Sequence, residues 1–238
     1  MALTNPVLAT QGGDSANNST YDTAALVLTA GRIYYISVGA YRSGGANDPV
    51  SIEHDPTGTP LAFAVVSDGT TSASINGAGG GGQYGLYVWA VRVTSTTGSA
   101  VIRITFSGAR SACGWIVWYT TGEQATNTHR QVVLAATSNA VTMAAFGATD
   151  NMAVLVTSSD DQAATFTPTE GRSEIAEQSD AERMAHADDY QNPHGGDTTL
   201  NMTVSVGNPA SIGIEIVAAA AVTRKAGRLT LLGAGHGS

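Results

Sequence analysis

The sequence predicts an all-β chain: an antiparallel β-sandwich of jelly-roll type, built from two similar halves and followed by an extended C-terminal arm. Three observations predict it. Apolar residues alternate with polar ones, turn signals cut the chain into about a dozen short runs, and the order of these runs occurs twice.

Alternation is clearest where Ile102, Ile104 and Phe106 bracket Arg103 and Thr105, and where Leu200, Met202 and Val204 bracket Asn201 and Thr203. A period of two is that of a strand with one wet and one buried face. Ile212, Ile214 and Ile216 alternate in the same way with Gly213 and Glu215, and Leu26 and Leu28 open the first half in kind. Buried parallel strands would read as unbroken apolar runs, so the sheets are expected to be antiparallel.

Turn residues separate the runs: Ser43 to Pro49, Asp55-Pro56-Thr57-Gly58, Ser67-Asp68-Gly69, Gly77 to Gly82 and Gly207-Asn208-Pro209. Glycine supplies positive φ, proline fixes φ, and Asn or Asp bonds its own backbone. Many short strands divided this way make a sandwich.

The repeated order runs from Gly31–Ile36 through Pro56-Thr57-Gly58 and Tyr87-Val88-Trp89 to Ile102–Tyr119. Its second copy runs from Asn151–Leu155 through Pro168 to Gly171 and Arg183-Met184-Ala185 to Leu200–Val217. Without a gap, Ile102, Ile104, Phe106, Ile116 and Trp118 fall on Leu200, Met202, Val204, Ile214 and Ile216. A unit this long exceeds a solenoid repeat, so two sheet-forming halves are expected. Ser173 to Asp189 is rich in helix formers, yet the repeat assigns it two strands, near Arg172–Gln178 and Glu182–Asp189, matching Leu61–Val66 and Tyr84–Val93.

The expected organisation is a body over residues 1–221, with halves at about 20–122 and 131–221, and an arm over 222–238. The formal charge is −8, and three of the positive charges, Arg224, Lys225 and Arg228, lie in the arm, so the body is still more acidic. That balance argues against a nucleic-acid partner, whose phosphates call for a basic surface. The arm is expected to bind an acidic neighbouring subunit through Arg224, Lys225 and Arg228, with Leu229, Leu231 and Leu232 in a groove. The first residues lack a charged and then apolar leader pattern, and no apolar run is long enough to span a membrane. Synthesis in a cytoplasm and no membrane partner are therefore expected. Cys113, the single cysteine, is expected to be a buried small hydrophobe.

Several constellations could carry chemistry. Gly77 to Gly82 holds a G-x-G-x-x-G spacing, but a strand follows where a nucleotide cradle needs a helix, so no nucleotide cofactor is expected. His186, Asp188, Asp189, His194 and Asp197 offer metal donors without a defined spacing. A solvated polar loop is the expectation, and no metal. His186 and Asp188 would share one strand face, with Asp189 on the other. Asp160, Asp161, Glu170 and Glu174 could pair as carboxylates across a cleft but read as acidic turn residues. No nucleophile elbow is present, so no catalytic residue is assigned and the chain is expected not to be an enzyme.

Aromatic residues gather in the first half, at Tyr34, Tyr35, Tyr84, Tyr87, Trp89, Trp115, Trp118 and Tyr119. Most belong in a core, while Tyr84, Tyr87 and Trp89 are the candidates for stacking on a glycan or anchoring an interface.

The closing phrase ITFSGARSACGWIVWYTTG and its partner MTVSVGNPASIGIEIVA resemble those of β-sandwich structural proteins of tailed bacteriophages, over Thr20 to Ala220. The chain departs from that pattern at Arg172 and Ile212, where such proteins carry Trp. The resemblance implies a virion protein, with no catalytic residues to carry over. The expected function is a capsid decoration or cement subunit, a homo-oligomer (a trimer being the order considered) that contacts the major capsid protein. A tail or spike adsorption protein that binds host glycan is the alternative, and a carbohydrate-binding module the third reading.

Overall fold

The computed structural model describes residues 2–42, 48–78, 84–169, 171–180 and 183–220. The first half contributes β1 (Val7–Asp14), β2 (Asn18–Asp22), β3 (Leu26–Val27), β4 (Ile33–Tyr41), β5 (Pro49–His54), β6 (Leu61–Ala62), β7 (Ala64–Val65), β8 (Ser74–Ala78), β9 (Tyr84–Arg92), β10 (Ser99–Ala100), β11 (Ile102–Arg110) and β12 (Ala112–Thr120). The second contributes β13 (His129–Ala135), β14 (Ala140–Thr142), β15 (Met152–Ser159), β16 (Phe166–Pro168), β17 (Ser173–Ser179), β18 (Ala185–Gln191), β19 (Thr199–Val204) and β20 (Pro209–Ile216). Among the described residues every strand pairing is antiparallel. The β-sandwich expected from the alternation is what the chain forms.

Each half is a sandwich of a larger and a smaller sheet. In the first, β1-β12-β4-β9 continues to β7 and β8, opposite β2-β11-β5-β6; in the second, β13-β20-β15-β18-β17 lies opposite β14-β19 and β16. The register carries the repeat into space. Ile116 pairs with Ser37 and Trp118 with Tyr35, while their counterparts Ile214 and Ile216 pair with Val154 and Met152. Ser173 to Asp189 forms β17 and β18 as the repeat requires, because tertiary pairing overrides local propensity. One correspondence shifts: β17 meets β18 over the stretch that β8, not Leu61–Val66, covers on β9.

The two sandwiches stack through their larger sheets, giving four layers. Tyr21, Ile36, Ile52, Ile104 and Val117 fill the first sandwich, and Val141, Leu155, Phe166, Leu200 and Met202 the second. Between the halves, Tyr35, Leu86, Val88, Ile116 and Trp118 pack on Val154, Val156, Met184, Ile212, Ile214 and Ile216. Contacts at the margins are reciprocal, β1 lying over β17 and β8 over β13.

This stacking overturns one expectation. The smaller sheets keep a wet face, as β11 shows, but β4, β12, β15 and β20 are buried on both faces. Gly213 and Glu215 therefore do not face water. Gly213 lies under Val141 and Met143, where a Cβ would come 2.8 Å from the Met143 sulfur. Glu215 accepts from Gly147 N (2.8 Å), Asn151 Nδ2 (2.5 Å), Gln131 Nε2 (2.6 Å) and Arg130 Nη1 (2.8 Å). With both oxygens satisfied, a buried carboxylate is tolerated, and these bonds hold it below the usual carboxylate range against the opposing effect of burial.

Candidate functional site at the seam between the halves

Polar side chains interrupt the apolar seam in two places. At the first, Met184, just before β18, and His186 and Asp188 on β18 turn toward the first half, and Gly39 and Gly114, paired across β4 and β12, open a notch for Met184 and His186. A Cβ on Gly39 would collide with Met184 Cε, and one on Gly114 would stand 3.4 Å from the His186 ring. Asp188 Oδ2 accepts the Trp118 indole N–H at 2.8 Å, and Trp118 stacks on Tyr35 with ring centroids 4.2 Å apart. Asp188 Oδ1, Ser37 Oγ and His186 Nε2 have no protein partner among the described residues. Burial pushes the Asp188 carboxyl up to about 7 although the hydrogen bond from Trp118 favours its ionised form, and burial pulls the His186 imidazole down to about 3. Near neutrality the imidazole is uncharged, and the carboxyl is poised between its two states.

At the second place the seam opens into a cleft of about 420 Å³ lined by Asp68, Gln124, Asn127, His129, Arg130 and Val217. His129 Nε2 lies 3.2 Å from the Tyr35 hydroxyl, and burial lowers its imidazole to about 4. Arg92 Nη2 donates to the Gln124 carbonyl at 2.8 Å. Asp68 Oδ1 accepts from Thr70 and Thr71 N–H, and Oδ2 reaches across the seam to Val132 N at 2.9 Å. Beside the cleft, Thr120 donates to buried Glu123, whose other oxygen has no partner among the described residues and whose carboxyl is raised by burial. Chemically the cleft offers a neutral imidazole and the 43% exposed Arg130 side chain, itself paired to Glu215. Its polar groups also tie one half to the other.

The sequence candidates fare unevenly. Tyr84 and Tyr87 are buried: the Tyr84 hydroxyl donates to Asn208 O at 2.5 Å and that of Tyr87 to Asn76 Oδ1 at 2.7 Å. Neither offers a ring face to a glycan, and Trp89 is only half-buried and packs on the first sandwich core. The reading of His186 to Asp197 as a solvated loop is corrected. His186 and Asp188 are fully enclosed because the face of β18 that would meet water in a single sandwich meets the other half, and Asp189 is enclosed on the opposite face, inside the second sandwich. His186 and Asp188 do share one face. Asp189 lies on the other, accepting from Arg172 Nε at 2.8 Å, and burial still lifts its carboxyl to about 6.

His194 instead stacks on Phe146 with centroids 4.0 Å apart and bonds Ala148 O, while Asp197 caps Thr199 N. Among the described residues no group of three or more His, Cys, Asp or Glu side chains could hold a metal ion. Asp160 accepts from Asn208, Asp161 from Ala163 N, and Glu174 stands beside Glu177 rather than across a cleft from either. Strand β9 follows the glycine run. Gly79 to Gly82, Glu170, and the arm residues Arg224, Lys225, Arg228, Leu229, Leu231 and Leu232 lie outside the described residues. Cys113 is buried as expected.

Ser37, Trp118 and Asp188 were missed as a group. Their one sequence signal is positional: by register His186 and Asp188 occupy the places of Tyr84 and Leu86 in the first copy, where a solvated residue would be out of place. Compared with known proteins, the chain matches no family model, no curated protein and no solved structure.

Proposed function

We propose that the chain is a structural subunit of a phage virion, a decoration or cement protein that assembles with itself and with the major capsid protein. The observation that carries the reading is the four-layer stack. Two sandwiches bury the faces of their larger sheets against each other, and hydrogen bonds from Asp68 to Val132 and between Tyr35 and His129 join the halves, while Arg92 ties the first half to the connection at Gln124. A continuous core across four sheets makes a rigid body suited to bearing load, since packed interiors are stiff. The strand order also supports the jelly-roll assignment: with β6 and β7 taken as one split strand and the short β3, β8 and β10 set aside, β1-β12-β4-β9 lies opposite β2-β11-β5-β6, the interleaving of an eight-stranded jelly roll. Densitometry of purified particles tests the function. A band at hundreds of copies per particle, in fixed ratio to the major capsid protein, is expected; absence from particles ends the proposal.

The second reading, a tail or spike protein that binds host glycan, no longer has Tyr84 and Tyr87. What favours it is a cleft of about 410 Å³ lined by His54, Asp55, Thr59, Pro60, Leu61 and the Thr94 to Gly98 loop, where hydroxyls and a carboxylate could meet a sugar. Binding of the full chain on a glycan array, together with only a few copies per particle, would select it.

A further inference from the structure

We propose that the cleft at one end of the first sandwich binds a neutral sugar residue, held by the Asp55 carboxylate and the hydroxyls of Thr59, Thr94 and Ser95. This deepens the glycan reading of the chain and rests on it for the source of the ligand, a host surface glycan. The cleft holds about 410 Å³ between the turn after β5 and loop 94–98, which joins β9 to β10. Small-ligand sites span roughly 300–1,000 Å³, so the space suits the end of a glycan rather than a long stretch of one.

Both walls are fixed by hydrogen bonds before any ligand arrives. Asp55 holds φ at 55°, in the left-handed region that favours glycine, and such a conformation persists where its surroundings determine it. Here Asp55 N donates to Val101 O at 3.1 Å, Gly58 N to Asp55 O at 3.2 Å and Thr59 N to Asp55 Oδ2 at 3.2 Å. A Cβ on Gly58 would strike the Asp55 carboxylate, so the glycine keeps that group in place. His54 anchors the same wall, donating from Nε2 to Leu26 O at 3.0 Å. Across the cleft, Thr97 N donates to Leu28 O and Thr97 Oγ1 accepts from Leu28 N, each at 2.9 Å, while Thr96 Oγ1 accepts from Ala30 N at 3.1 Å.

The groups left over match a sugar. Asp55 Oδ1 and the hydroxyls of Thr59, Thr94 and Ser95 make no hydrogen bond with another described residue. A carboxylate oxygen only accepts, whereas each hydroxyl both donates and accepts, and neighbouring ring hydroxyls of a sugar satisfy such a mixed set. The bond from a sugar hydroxyl to Asp55 is charge-assisted and therefore the strongest of them. Pro60 and Leu61 add an apolar patch for the C–H face of the ring. No Lys or Arg is among the described residues that line the cleft, so an acidic sugar would meet Asp55 with no counter-charge. A metal ion is excluded as well, since Asp55 has no second carboxylate beside it.

Titrating the isotopically labelled full chain with the methyl glycosides of glucose, galactose, mannose and N-acetylglucosamine, read by amide shifts in NMR, tests it. At least one glycoside should move the amides of Thr59, Leu61 and loop 94–98. Asp55→Asn, which tolerates the same φ and still accepts from Thr59 N, should weaken that binding about tenfold. Ser95→Ala, on the exposed loop, should weaken it about threefold and keeps the comparison valid if the first variant fails to fold. No shift of these amides with any glycoside, or binding that both variants leave unchanged, overturns the proposal. Binding of glucosamine without binding of N-acetylglucosamine or the other neutral glycosides also overturns it, by assigning the cleft to cations. Glycan-array binding that survives both variants would sink the cleft and keep the glycan reading. Glycoside binding in the cleft of a protein present at high copy number on the particle would keep the cleft and sink the tail or spike assignment.

Discussion

Replacing Asp188 with Asn should leave the protein's stability almost unchanged at pH 4 and raise it at pH 8. The carboxyl is enclosed, receives one hydrogen bond from Trp118 and leaves one oxygen without a donor beside the Ser37 hydroxyl. In its protonated form that oxygen can donate to Ser37; ionised, it is a buried charge with no cation facing it among the described residues, since His186 is neutral. The folded group titrates at about 7, against 3.8 for a free side chain. Between those values the folded state keeps its proton and the unfolded chain has lost it, so stability falls as pH rises through this window and levels off above it. At about 1.4 kcal/mol per pH unit, the loss is about 4 kcal/mol, and relaxation around the charge reduces this to about 2–4 kcal/mol. Asn keeps the shape, the acceptor for Trp118 and a donor for Ser37, and never ionises. Urea unfolding of both proteins at pH 4 and pH 8 measures the effect. A variant advantage that is the same at both pH values would refute the assignment of Asp188 as the titrating group.

The same titrations should show that Asp188→Asn loses stability more steeply than the wild type between pH 6.5 and 4. His186 and His129, with imidazoles lowered to about 3 and about 4, remain neutral when folded while the unfolded chain gains protons, and Asp188 offsets part of that slope. Arg172→Met should cost about 3–5 kcal/mol by stranding buried Asp189, and adding Asp189→Leu should recover most of it in chemical denaturation. Gly39→Val should cost about 1–3 kcal/mol, because the notch that admits Met184 closes; calorimetry gives the shift. Asn151→Ala should cost about 2 kcal/mol by removing one donor to Glu215 and the acceptor for Ala218 N, seen as a lower urea midpoint.

Much of the fold was legible because β11 and β19 each have one wet face, so their alternation survives in the sequence. The strands at β17 and β18 were legible only through the repeat, against their composition. The seam was not legible. A strand enclosed on both faces is expected to lose its alternation, yet β20 keeps one, with Glu215 on a side that faces a second core layer rather than water. Its four hydrogen-bond partners come from two segments distant from it in the chain, Arg130 with Gln131 and Gly147 with Asn151, which no local pattern announces. His186 and Asp188 misled for a related reason: charged residue types signal solvent in isolation, and only the stacking of the second sandwich on the first reveals that they are enclosed. Tyr84 and Tyr87 erred in the opposite sense, as rings that seemed available because no sequence feature showed what would cover them.

The paired glycines of the first half and the bulky Met184 and His186 of the second act as socket and plug. In the repeat the socket positions Gly39 and Gly114 become Val156 and Ile212, so a second half offers another second half no hollow to enter. When two chains meet during folding, a second half that pairs with another second half is therefore left with an ill-fitting joint.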